Sequence, residues 1–438
     1  MKYKVLFCIF IFSTISLYRC SHIESAVEDN PKAPTIPTII IDNNTNSPDD
    51  STISSPDAPL TFQGYELSES EKNDSHVICK KSSVSDEVTL LFGGDICFDD
   101  NYSNMNTFRA QKNGISGVLS SELMSELQGA DITMLNNEFP YSNRGTPTMG
   151  KTFTFRANPE RVSILTDMGV DIVSLANNHA YDHGPDALLD TFSTLNGVSI
   201  PYVGAGKNLE EAMKPTYFIS GGMKIAYVSA TQIERLDNPD TKEATSDSPG
   251  VLRTLVPDKF LTVIKEAKEN SDFVVVYVHW GSENVYEADA SQKALASQFE
   301  EAGADLIVGD HSHCLQGIEF VNDTPVIYSL GNFWFNSKNL DTGFIKVKVQ
   351  KSGMKSYQFI PCLQHVCKTD QMLPNTNGEY ERILGVMAGL SSDISIDPSG
   401  YVTKGAGNGV NAVSPRALTK PAANSANAVL TVSPDSPM

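Results

Sequence analysis

Residues 171–184 read DIVSLANNHAYDHG. An apolar run from Ile172 to Leu175 breaks off into two asparagines, a histidine, an aspartate and a second histidine. The segment before it, NPERVSILTDMG, has the marks of a helix: Asn158 as N-cap, Pro159 at the first helical position and Gly169 as the stop. The segment after it, GPDALLDTFSTLNG, reads as a second helix begun by Pro185 and ended near Gly197. The stretch is therefore a strand between helices, and its carboxyl tip carries groups suited to metal binding or proton transfer.

Working outward, six further apolar runs read as buried strands: VTLLFG (88–93), DITML (131–135), IAYVSA (225–230), FVVVYV (273–278), DLIVG (305–309) and PVIYSL (325–330). Helix-like segments lie between several of them, which predicts an α/β domain with helices covering a sheet. Their tips share a chemistry. Asp95, Asn136-Asn137-Glu138, Asn177-Asn178-His179, His279, Asp310-His311-Ser312-His313 and Asn332 follow six of the seven runs. Ligands of α/β sheets bind beyond the carboxyl ends of strands, so these groups can converge on one crevice although they are far apart in sequence.

The 438 residues are 40% hydrophobic, enough for a substantial core. A formal charge of −20 argues against nucleic acid as a partner and repels polyanions at long range, unless bound divalent cations reverse the field locally. Residues 1–20 combine Lys2 and Lys4 with an apolar run, the pattern of a signal peptide or membrane anchor, and place the mature protein outside the cytoplasm. Cys20 follows that run, but Arg19 stands where a lipidation site has a small residue, leaving lipid anchoring, plain cleavage and an uncleaved anchor as alternatives. Residues 21–85, rich in Pro, Ser, Asp, Asn and Thr, read as a flexible extracytoplasmic linker; 86–370 as the folded domain; and 371–438 as a low-complexity tail. Seven scattered cysteines do not make a disulfide framework, although Cys362 and Cys367 are spaced for one short-range bridge or for two buried thiols.

Of the eight histidines, His179, His279, His311 and His313 occupy strand tips, together with Asp95 and Glu138. His22, His76 and His365 lie elsewhere and read as ordinary residues. His311 and His313, two apart in extended backbone, project to the same side and reach adjoining metal positions. Cys97 and Cys314 read as packed side chains, and Asp182 and His183 as supporting or exposed ones. A serine hydrolase lacks its G-x-S-x-G elbow, and Gly204 and Gly206 complete no nucleotide-binding motif.

The blocks LLFGGD, ITMLNNEFP, FTFRANPE, GVDIVSLANNHAYDHG, YVHWGSE, GADLIVGDHSHCLQGIE and VIYSLGNFWF, in this order over about 88–336, resemble the CapA-type capsule or poly-γ-glutamate biosynthesis family, a branch of the calcineurin-like metallophosphoesterases. The resemblance implies a metallophosphoesterase-like two-sheet sandwich flanked by helices. It implies that Asp95, Glu138, Asn178, His279, His311 and His313 hold one or two divalent metals (Mn, Fe or Zn), with Glu138 in the bridging place. It also implies in-line attack by a metal-activated hydroxide on phosphorus, with His179 protonating the leaving oxygen. The chain departs from ordinary phosphoesterases at Cys97, where an Asp-x-His motif would place an imidazole, at Glu138, where an aspartate is usual, and at Ala180, whose acidic role passes to Asp182. Two readings follow. One is an extracytoplasmic, metal-dependent protein of capsule or poly-γ-glutamate assembly, membrane-anchored or secreted, whose phosphoesterase-like or amide-directed hydrolytic site takes an anionic polymer or phosphorylated substrate. The other is a non-catalytic, surface-tethered scaffold or polymer-binding subunit beside a membrane-bound polymer synthase.

Overall fold

The computed structural model describes residues 60–417 apart from 234–240, 376, 406 and 408. The N-terminal segment 1–20, most of the linker and residues 418–438 lie outside the described residues. Among the described residues no helix is long and apolar enough to cross a membrane.

Two sheets form the frame. The first runs in the order Lys368–Gln371, Gly353–His365, Leu340–Gln350, Val88–Ile96, Ile132–Asn137, Ile172–Ser174, Tyr202–Val203, with Asn332–Trp334 also paired to Val88–Ile96. The second runs Leu315–Val321, Thr324–Leu330, Leu306–Asp310, Phe273–His279, Met223–Thr231, Thr216–Ser220, Val77–Cys79. All seven strands expected from the apolar runs are present, and those within each sheet that neighbour one another pair in parallel.

Each central strand is buried on both faces, which explains the unbroken apolar runs. Leu90 and Phe92 point between the sheets, where they meet Tyr227, Val275 and Tyr277, while Leu91 points outward against helical Leu123, Leu127 and Phe192. Val274, Val276 and Val278 do the same on the second sheet against Phe260, Ile264 and Phe299 of the helices Asp258–Glu269 and Ala290–Ala302. The result is the expected two-sheet α/β sandwich flanked by helices. The two helices around the opening stretch are also found: Asn158 accepts from the Glu160 amide, Gly169 closes the first in a left-handed cap at φ 79°, and Pro185 starts the second.

The chain crosses from one sheet to the other at Gly331, whose φ is +68°; Leu330 ends a strand of the second sheet and Asn332 begins pairing with Asp95 in the first. There the Gly331 carbonyl accepts the Asp95 amide at 3.0 Å, and a Cβ on Gly94 would stand 1.8 Å from that carbonyl oxygen. Glycine at 94 lets the sheets meet where the polar tips converge.

Two expectations need correction. The linker was placed as far as residue 85, yet Val77–Cys79 is an edge strand of the second sheet, and Glu71 binds Lys224 on that sheet at 2.7 Å. The tail was placed from 371, yet Glu379–Leu390 is a helix whose Tyr380, Ile383, Leu384 and Met387 enter the core between the sheets, followed by a hairpin of Ile394–Ile396 with Val402–Lys404. Of the two alternatives for Cys362 and Cys367, the structure has the buried free thiols: Cys362 lies within the strand Gly353–His365 opposite Gln371, and Cys367 in the turn leading into Lys368–Gln371.

Candidate metal centre

The strand tips do converge. Asp95 ends Val88–Ile96, Glu138 follows Ile132–Asn137, His279 closes Phe273–His279, and Asp310 closes Leu306–Asp310; all four are fully buried. Across the two sheets His279 Nε2 lies 2.8 Å from Asn178 Oδ1 and 3.5 Å from Glu138 Oε1. His311 Nδ1 lies 3.0 Å from the same Nε2, and His313 Nδ1 lies 3.3 Å from Asp95 Oδ2.

Three groups have ligand atoms mutually within 4.8 Å: Glu138 with His279 and His311; Asp95 with Glu138 and His313; and Asp95 with His279 and Asp310. Glu138 belongs to the first two, the shared place the family resemblance gave it, and Asn178 adjoins the first through His279. All six expected ligands are thus brought together. One reason for expecting this was wrong: His311 and His313 are not in extended backbone but in the left-handed region, at φ 87° and 55°, and their rings sit 6.0 Å apart. Such conformations in non-glycine residues carry strain and gather at functional sites.

The electrostatics fit a cation. Asp95 Oδ2, both oxygens of Glu138 and Asp310 Oδ2 are buried without a hydrogen-bond partner. Burying unpaired carboxylate oxygens is costly, and a divalent ion supplies what they lack. Burial, then the charges of Asp95 and Asp310, drive the Glu138 carboxyl well above its usual range; burial and Asp95 do the same to Asp310. Asp95 goes the other way: burial opposes its ionisation, but His313 beside it holds it below the ordinary value. Burial pushes His279 down to about 3 and His311 well below normal, so both present neutral imidazoles, the ligating form. A donor set of carboxylate, carboxamide and imidazole without thiolate suits Mn, Fe or Zn.

His179 stands at the rim. Its Nδ1 is 2.6 Å from Asp182 Oδ2 and its Nε2 is 3.9 Å from Glu138 Oε1, and Phe155 packs over the ring with centroids 4.2 Å apart. Burial, only partly opposed by Asp182, lowers its pKa. Cys97 is fully buried in the outer core and belongs to none of the three groups; Cys314 is likewise buried. His183 is buried and also outside the groups, and His365 pairs with Asp370 at 2.6 Å far along the first sheet.

Sequence reasoning passed over three contributors. Asp310 was noted only as a polar tip, yet its Oδ1 lies 2.8 Å from His279 Nδ1. Asn332 Oδ1 lies 2.8 Å from His313 Nδ1. Lys151, in a loop with no flanking motif, bonds Asp182 and the Asn178 carbonyl. The tip position itself was the available signal for Asp310 and Asn332; Lys151 had none.

Comparison with known proteins gives these residues a family. The chain is 35% identical over 215 residues to "PGA biosynthesis protein CapA" of Bacillus subtilis (strain 168), covering 48% of this chain and 55% of that protein. It is 31% identical over 245 residues to "Capsule biosynthesis protein CapA" of Bacillus anthracis, covering 54% and 58%. A "Probable polyglutamine synthesis accessory protein" of Mycobacterium tuberculosis is 29% identical over 213 residues, covering 47% and 56%. The chain spans about half the length of the curated relatives it matches. Among solved structures, the crystal structure of TT1561 of Thermus thermophilus aligns with a TM-score of 0.36 and 11% identity, over 64% of this chain and 99% of that one. Residues 89–337, more than half of the chain and the whole stretch bearing the convergent tips, match the family model described as "Bacterial capsule synthesis protein PGA_cap", and the chain belongs to that family.

Proposed function

We propose that this protein is a metal-dependent hydrolase of capsule or poly-γ-glutamate assembly, acting outside the cytoplasm on a phosphoester or amide link of an anionic substrate and tethered through its N-terminal segment. The observation that carries this reading is the set of four buried carboxylate oxygens without a hydrogen-bond partner beside the neutral imidazoles of His279 and His311, with a histidine–aspartate pair at its rim. The names of the relatives support the polymer context.

Asp95, Glu138 and His313 would hold a cation on one side, and Glu138, Asn178, His279 and His311 on the other. A divalent ion bound there supplies Lewis-acid polarisation of a phosphoryl or carbonyl oxygen and makes a neighbouring water more acidic. The chain's own residues do the rest. Asp182 accepts the Nδ1 proton of His179 and fixes the ring, so a bare Nε2 faces the cluster, where it would take a proton from the attacking water and pass that proton to the leaving oxygen. Phe155 covers the ring and keeps bulk water from it.

The test is metal analysis of purified protein together with hydrolysis of bis(p-nitrophenyl) phosphate and of poly-γ-glutamate by wild type and His179→Ala. Bound metal with turnover that His179→Ala lowers by about 100-fold or more is expected. Bound metal without His179-dependent turnover would transfer support to the second reading, a metal-stabilised scaffold. Two observations favour that alternative: Cys97 is turned into the core, leaving Asp95's side a single imidazole, and among the ligands named only His313 is more than slightly exposed to solvent.

A further inference from the structure

One loop makes four hydrogen bonds to Asp182. The Thr148 amide and hydroxyl both donate to its backbone carbonyl, at 2.8 and 3.0 Å. The Phe155 amide donates to Oδ2 at 2.7 Å, beside the His179 Nδ1 contact, and Lys151 Nζ donates to Oδ1 at 2.5 Å. The same ammonium donates to the backbone carbonyl of Asn178 and stands 3.4 Å from His179 Nδ1. The Lys151 side chain is only 6% exposed and that of Asp182 is fully buried. Two of the ammonium's three donors are therefore spent on the residues immediately around His179.

We propose that Lys151 is a positioning residue that locks a metal ligand, Asn178, and a proton-transfer pair, His179–Asp182, into one rigid unit. A buried ion pair is weak evidence of a purely stabilising role, since replacing both partners by apolar side chains of similar volume is often neutral, whereas removing one leaves the other's charge buried and unpaired. Its geometry gives it a task. With Oδ1 taken by Lys151, the remaining oxygen of Asp182 is committed to His179 Nδ1, which leaves Nε2 bare and directed at Glu138. With the Asn178 carbonyl held, the Asn178 carboxamide keeps its place 2.8 Å from His279 Nε2. The residues flanking Lys151 in the loop, Met149 and Phe153, are 89% and 57% exposed, so the loop is anchored at this site through Thr148, Lys151 and Phe155 while its other side chains face solvent. This inference rests on the cation site proposed above but not on turnover.

The test uses the full chain and Mn²⁺ alone as the probe, with two readouts. The first is titration calorimetry with Mn²⁺. The second is the ¹⁵N spectrum of histidine-labelled protein at one fixed pH, with His179 assigned through His179→Gln. Wild type is expected to show His179 as a single species protonated at Nδ1. Lys151→Ala is expected to bind Mn²⁺ about tenfold more weakly or worse and to lose the single tautomer, with both effects partly restored by methylammonium at high concentration. Lys151→Met, which keeps the volume, should behave as Lys151→Ala does but without restoration. Unchanged Mn²⁺ affinity and an unchanged His179 spectrum in either folded variant would overturn the proposal. So would loss of folding in both variants with Lys151→Arg folded, which would make the residue a prop for the loop. If wild type itself binds no Mn²⁺, the cation reading fails, and the His179 spectrum still decides the role of Lys151.

Discussion

His279 Nδ1 lies 2.8 Å from Asp310 Oδ1, both residues close neighbouring parallel strands, and their backbones are in register. The pairing fixes which face of the imidazole serves a cation. A proton on Nδ1, donated to Asp310, leaves Nε2 bare on the side that faces Asn178, Glu138 and His311. Carboxylates behind metal-ligating histidines typically govern 10–100-fold in affinity. Asp310→Ala should therefore weaken Mn²⁺ binding by about 10–100-fold, and Asp310→Asn by less, because a carboxamide oxygen still accepts from Nδ1. Calorimetry measures both; equal losses would mean that the charge of Asp310, rather than its hydrogen bond, is what matters.

A second expectation concerns acid. Glu71 Oε1 accepts from Lys224 Nζ at 2.7 Å and Tyr65 Oη at 2.9 Å, while Oε2 accepts from the Ser68 amide and hydroxyl. Burial would raise its pKa, but Lys224 and the Ser68 and Tyr65 donors outweigh it and hold the carboxyl at about 2. An unfolded chain takes up this proton near pH 4.3. The folded-state value is the lower one, so the contribution to stability is complete above about pH 4.5 and is lost as pH falls toward 2. In metal-free protein, the gap in urea midpoint between wild type and Glu71→Gln should be constant from pH 7 to 5 and shrink below about 4.5. A gap that does not change with pH would show that the Lys224 pair adds nothing.

The crossing of the two sheets yields a third. Gly94→Ala would set a methyl 1.8 Å from the Gly331 carbonyl oxygen, a backbone atom that cannot rotate aside. The strand Val88–Ile96 must move, at a cost of about 1–3 kcal/mol or more, and Asp95 moves with it. Both the denaturation midpoint and the Mn²⁺ affinity should fall together. Gly129→Ala, at the end of the helix Ser121–Gly129 with nothing within 4 Å of the added methyl, serves as the control: it should leave the Mn²⁺ affinity unchanged and the midpoint unchanged or slightly raised, Ala being the better helix former. If Gly94→Ala lowered stability alone, the link between the crossing and the site would be wrong.

What the sequence made legible follows from burial. Central strands covered on both faces have nowhere to put polar side chains except at their ends, so Asp95, Glu138, His279 and His311 stood out against apolar runs. Asp310 sits in the same tip, but nothing in spacing separates a ligand from the carboxylate that supports one. Lys151 was hidden because its partners Asn178 and Asp182 are reached through the fold of a loop, not through a period. The helix Glu379–Leu390 was readable: Tyr380, Ile383, Leu384 and Met387 follow helical spacing, and the polar residues around them drew attention away from it. The edge strand Val77–Cys79 is three residues long and carries no periodic signal at all.

The cluster sets binding against stability, and that predicts opposite signs in one variant. Without a cation, both oxygens of Glu138 and Asp310 Oδ2 are buried with no hydrogen-bond partner and Asp95 Oδ2 has only His313 beside it at 3.3 Å, a cost borne by the folded state. With Mn²⁺ at a hundred times its Kd, the folded state gains about 2.7 kcal/mol. His311→Ala and His313→Ala each remove an imidazole from one of the two groups sharing Glu138, so both should lose most of that gain; metal-free, His311→Ala should melt near wild type, whereas His313→Ala, which takes the imidazole from beside the buried Asp95, should melt lower. Glu138→Gln keeps the shape, removes the charge that both groups share, and lets the new amide donate to Asp95 or Asp310. Metal-free, this variant should be at least as stable as wild type; with Mn²⁺ it should gain almost nothing. Melting curves of the four proteins with and without Mn²⁺ decide the matter. A Glu138→Gln protein that is less stable without metal and still stabilised by it would show that the carboxylate belongs to the framework and that the cation sits elsewhere.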